Sequence, residues 1–171
     1  MKCRSAPSST ALSGFGVIEL MVGLAIVAIL MSLGAGSYGS ITGKARVAAD
    51  ASDLLHAIEL TRAEAMKRAA RVTLAPADGD WTSGWVVFVD TNVNRRFDAD
   101  EPLVHRHPPL ARTTRLTNDT TPGYVAFGGQ GRPLQDSGAF LAGTIALCDA
   151  GVKKSIVLAK SGRPRLQTAS C

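Results

Sequence analysis

From Phe15 to Leu33 the chain runs apolar with a single charge, Glu19. About 19 residues at ~1.5 Å each cover most of a ~30 Å hydrocarbon core, so the stretch reads as a membrane-spanning helix. The carboxylate is the constraint. At the bilayer centre an ionised group costs roughly 2.5–3.5 kcal/mol on insertion scales, so Glu19 must lie near an interface or have a partner. Ahead of the run, Met1–Gly14 is small and polar, carries Lys2 and Arg4, and has no acid.

Behind the run, Gly34, Gly36, Gly39 and Gly43 interrupt helix-forming residues. Each costs up to ~1 kcal/mol relative to Ala, which predicts a kink or loosened turn. Helical spacing resumes from Lys44 to Arg71: Val47, Ala51, Leu54, Leu55, Ile58, Ala65 and Ala69 recur at three and four, with charges on the other faces. Then the period changes. Val72–Leu74, Trp85–Val89, Leu103–His105, Thr113–Thr117, Tyr124–Phe127, Gly143–Cys148 and Ser155–Ala159 are β-rich runs separated by Gly, Pro, Asp and Asn. The expected fold class is α+β, with the helix lying on one or two antiparallel sheets.

Basic leader, Gly14, Phe15 and Glu19 together resemble the N-terminus of type IV pilins and type II secretion pseudopilins, with Gly16 where Thr is usual. The resemblance implies cleavage between Gly14 and Phe15 by a prepilin peptidase that leaves the apolar segment in place, unlike a secretory signal peptide. It also implies that Glu19 pairs with the new amino group of Phe15 during assembly. The boundaries expected are 1–14 for the leader, 15–43 for the transmembrane and assembly helix, and 44–171 for a pilin-like head. Cys3 leaves with the leader, so only Cys148 and Cys171 remain. An even pair outside the cytoplasm points to a disulfide, the alternative being two free thiols.

Further along, Leu60–Arg68, then Trp81–Asp90, then Phe127 followed by Gly131-Arg132, resemble the GspH/FimT family of minor pilins and pseudopilins over nearly the whole mature chain. One branch of that family primes type II secretion pseudopili, and the other primes type IV pili or serves them in DNA uptake. The C-terminus favours the second. After Asp149 there is no acid, while Lys153, Lys154, Lys160, Arg163 and Arg165 are all basic. Gly162-Arg163-Pro164-Arg165 matches the Gly-Arg-x-Arg motif associated in FimT-type pilins with DNA binding.

The chemistry of the motif supports that association. Pro164 fixes its own φ and biases Arg163 to extended conformations, so two arginines spaced by ~6.6 Å of extended chain suit the ~3.4 Å rise of successive phosphates. Arg132, in Gly131-Arg132-Pro133, is a second candidate. The implied partners are double-stranded DNA, other major and minor pilin subunits, the prepilin peptidase and, before assembly, the inner membrane. The head is then periplasmic and reaches the cell surface in the pilus. The alternative is a pseudopilin or priming subunit that never touches DNA.

Metal and catalytic motifs are weaker. Asp90, Asn92, Asn94, Asp98 and Glu101 fall at spacings 1, 3, 5, 9 and 12 of an EF-hand loop, but Arg95 replaces the required Gly and Arg96 adds a second positive charge. A polar connecting loop is the preferred reading over calcium. His105 and His107 could share a strand face, yet no Cys or acid at ligand spacing accompanies them, so no metal and no cofactor is expected. No G-x-S-x-G, H-E-x-x-H, C-x-x-C or phosphate-cradling Gly-Lys-Ser/Thr sequence occurs, and no enzyme is expected.

Overall fold

The structure, a computed structural model, describes residues 16–110, 114–118 and 123–171, giving the backbone alone at 33–38 and 118. The chain divides into two compact units, Met1–Gly39 and Ser40–Cys171. Gly14, Phe15, Cys3 and the rest of the expected leader lie outside the described residues, as does Thr113.

In the first unit the described residues after Gly16 belong to α1, a helix assigned without interruption over Val17–Arg68 and therefore through the glycines where a loosened turn is expected. Val17, Ile18, Leu20, Met21, Leu24, Ile29 and Leu30 are all more than half exposed. Glu19 reaches back one turn, its carboxylate accepting the Gly16 amide at 3.0 Å. That bond satisfies one of the amide donors a helix start leaves unpaired. Among the described residues no helix is long and apolar enough to cross a membrane. Both ends of the expected span, Phe15 and Leu33, lie outside the described side chains.

In the second unit, the later part of α1 buries Val47, Ala51, Leu54, Ala57, Ile58, Thr61 and Ala65. This is the stripe the spacing predicts, except that Leu55 is only partly buried and Ala69 lies outside. Ala69 is exposed and takes φ +49°, closing the helix as Ala70 donates back to the Ala65 carbonyl at 3.2 Å. The helix therefore ends at Arg68, short of the expected Arg71, in a Schellman-type turn built without glycine.

Among the described residues eight strands follow: β1 (Val72–Pro76), β2 (Trp85–Val89), β3 (Leu103–His107), β4 (Arg115–Asn118), β5 (Val125–Phe127), β6 (Gly143–Asp149), β7 (Val152–Leu158) and β8 (Pro164–Ser170). They form two antiparallel sheets, ordered β3-β2-β1-β5 and β4-β6-β7-β8. Trp85, Phe88, Phe127, Leu74, Leu141, Leu147 and Ile156 share one core with Leu54 and Ile58 of the helix. β8 is the strand the periodicity misses, because Gln167-Thr168-Ala169-Ser170 carries no apolar alternation. Its partner supplies the order: seven residues pair with β7, from Leu158 opposite Pro164 to Val152 opposite Ser170. Pro164 stands at the first position of an edge strand, where a missing amide is tolerated. A disulfide joins Cys148 to Cys171 across a sequence separation of 23 and ties the far end of β8 to β6.

Candidate nucleic-acid interface

The site is made where two glycine turns meet. Gly162 is buried at φ +77°, its amide donating to the Ala159 carbonyl at 2.9 Å. A Cβ on it would stand 2.8 Å from the Gly131 carbonyl oxygen. Only glycine allows the β7–β8 turn to approach the Gly131 turn so closely, since the left-handed region and the contact both exclude a side chain. Arg62 of α1 fastens the meeting point, its Nε donating to that same Gly131 carbonyl at 3.0 Å.

The flanking cations are thereby gathered. Arg163 lines a groove with Glu59, Arg62, Ala63 and Met66 of the helix. Arg132 follows Gly131 and lays its guanidinium 4.5 Å from the centroid of the Phe140 ring. It stacks on an aromatic face, a cation–π contact. Lys160 lies in the β7–β8 turn, and Arg165 pairs opposite Val157 on the edge strand. Lys160, Arg132, Arg163 and Arg165 are all exposed. Glu59 is the acid in the groove that Arg163 and Arg62 line.

Lys153 and Lys154 are not part of this gathering. They sit inside β7, opposite Ala169 and Thr168, about 13–16 Å of strand from Leu158. As successive strand residues they point to opposite faces, and Lys154 donates its Nζ to the Thr168 hydroxyl at 2.8 Å. Arg62 is the member that sequence reasoning missed. It reads as one of many polar-face helix charges, and only its bond to Gly131 sets it apart.

The Asp90–Glu101 loop satisfies its own oxygens. Asp90 is buried, accepting from the Thr73 hydroxyl at 2.8 Å and the Asn94 amide at 3.1 Å, with Arg71 beside it. Glu101 accepts the Thr91 amide at 2.9 Å. The Asn92 and Asn94 side-chain amides donate to Asp98 and hold its carboxyl below the usual carboxylate range. Arg95 adopts φ +67° where an EF-hand loop would place glycine. Among the described residues no three His, Cys or acidic side chains are arranged to hold a metal ion.

A long helix packed on antiparallel sheets, with the last strand stapled by a disulfide, is the fold of a type IV pilin. The crystal structure of the Pseudomonas aeruginosa PAO1 type IV minor pilin FimU matches with a TM-score of 0.59, covering 72% of this chain and 90% of that one at 19% identity. A second crystal form of FimU matches at 0.55, again at 19% identity, over 70% and 90% of the two chains. The family described as Type II transport protein GspH matches residues 50–162, and the chain belongs to that family. The pilin-like protein PilA1 of Thermus thermophilus is 27% identical over 161 residues, 90% of this chain and 97% of the relative.

Proposed function

We propose that this chain is a minor type IV pilin of the FimT-like branch that binds double-stranded DNA, mainly through phosphates, for uptake in natural transformation. The observation that carries this reading is the meeting of the Gly131-Arg132 and Gly162-Arg163 turns on Arg62. It brings the turns that carry Arg132 and Arg163 together beside Arg62 of the helix. Contacts of this kind position a duplex and read no sequence. The disulfide supports the same reading, because a β8 already ordered loses less entropy when it binds.

Assembly follows from the first unit. A prepilin peptidase cuts between Gly14 and Phe15, the inner membrane holds the helix with the head in the periplasm, and the subunit then enters a pilus at the cell surface. The exposed apolar side chains of α1 supply the surface that other pilin subunits cover. The role is structural and binding rather than catalytic. The family description favours a second reading, a GspH-like pseudopilin or priming subunit of type II secretion without DNA binding.

The test uses the full chain in detergent micelles and fluorescence anisotropy with unrelated duplexes over a range of salt. Replacing Arg163 and Arg165 by Gln should weaken all duplexes alike and reduce the salt slope by about 0.9 for each lost phosphate contact. The control replaces Lys67 and Arg68, which pair with Glu64 at the end of the helix. Equal losses in the two double variants would mean diffuse electrostatics. No binding by the wild-type chain at low salt would leave the secretion reading.

A further inference from the structure

All three histidines of the chain line one cleft of about 450 Å³, together with Asp53, Ala57 and Leu60. Two elements bring them there. Asp53, His56, Ala57 and Leu60 recur at three, four and seven on α1 and so share a helix face. His105 and His107 are two apart on the edge strand β3 and share a side of the sheet, opposite Val87 and Trp85 of β2.

His107 is held as a ligand would be. Its ring stacks on Trp85 at 3.9 Å and 9° between planes, and its side chain is 16% exposed. Its Nδ1 lies 2.7 Å from the Pro108 carbonyl oxygen. A carbonyl only accepts, so Nδ1 carries the hydrogen and Nε2 is the ring atom turned toward Asp53, the orientation a backbone partner imposes on metal-binding histidines. That Nε2 stands 3.5 Å from Asp53 Oδ2. Two ligands bound at about 2.0–2.2 Å on one tetrahedral ion are separated by about 3.3–3.5 Å.

We propose that this cleft is a binding site for a divalent late transition ion, with His107 and Asp53 as the placed pair and His56 and His105 completing the set. Three imidazoles and one carboxylate are the donor chemistry of zinc, copper or nickel rather than calcium or magnesium. In the structure two donors stand together and, among the described residues, no group of three does; the other two imidazoles turn inward to close the site. Both are exposed, His56 at 77% with an acid, Glu59, 3.9 Å away. A bound ion clamps the β3 edge to α1. The acid that the sequence lacks at ligand spacing would come from a helix some fifty residues earlier in the chain.

Zinc titrated into the full chain in detergent micelles, followed by calorimetry, is the experiment. The expected result is saturation at one ion per chain, with His56→Gln and His105→Gln each weakening binding by roughly tenfold or more. Both positions are exposed, so neither change threatens the fold. Nickel should quench the fluorescence of Trp85, which lies against His107, and this quenching should weaken in the same two variants. Asp98→Asn, in the acidic loop, should leave zinc affinity unchanged. Absence of saturable zinc uptake, unchanged affinity in both histidine variants, or a loss in Asp98→Asn as large as in theirs would each overturn the site.

Discussion

Replacing Gly162 by Ala separates backbone strain from the contact that builds the cationic site. At φ +77° an Ala residue costs about 1–2 kcal/mol. Its Cβ would also lie 2.8 Å from the Gly131 oxygen, 3.2 Å from Pro133 Cδ and 3.3 Å from the Phe127 ring. The Gly131 carbonyl resists retreat, because it accepts from Arg62 while the Gly131 amide donates to the Gly128 carbonyl at 2.8 Å. Overpacking of this kind adds about 1–3 kcal/mol. Gly138 is the control: its φ is +78° and a Cβ there would meet nothing within 4 Å. Thermal unfolding of the two Ala variants should therefore differ by the contact alone, roughly 2–12 °C at 2–4 °C per kcal/mol for a chain of this size. DNA affinity, measured where both remain folded, should fall only in Gly162→Ala, since moving the turn carries Arg163 away from Arg132. Equal melting temperatures would refute the close-approach argument.

In assembly, Glu19→Ala should leave cleavage after Gly14 intact and block pilus incorporation, because removing one partner of a buried charge pair costs about 3–5 kcal/mol; normal incorporation of the variant would sink the pairing. Reducing the Cys148–Cys171 disulfide should lower stability by about 3 kcal/mol in the chain-entropy model, and an unchanged melt in reductant would count against it. Asp98, whose carboxyl the Asn92 and Asn94 amides hold low, contributes stability that is present above the ordinary carboxylate value near 3.9 and lost as pH falls through its lower folded value. The melting difference between wild type and Asp98→Asn should then shrink below about pH 4; a gap constant across that range would contradict the assignment.

The sequence alone determined the elements whose signal is local. The recurrence of Val47, Ala51, Leu54 and Ile58 marks the buried helix face, and the β-rich runs mark seven of the eight strands, because side-chain periods of 3.6 and 2 are properties of neighbouring residues. The basic tail and its Gly-Arg-Pro-Arg segment are legible for the same reason. What tertiary structure decided is which distant residues meet. Without an apolar alternation, β8 becomes a strand through its pairing with β7. Arg62, Arg132 and Arg163 are separated by long stretches of chain, and their gathering depends on the Gly162 turn resting on the Gly131 carbonyl. That approach is set by two sheets closing over one core. The same packing leaves Lys153 and Lys154 along β7 and carries Asp53 and His56 to His105 and His107. None of these meetings has a local period, so only the packed core could specify them.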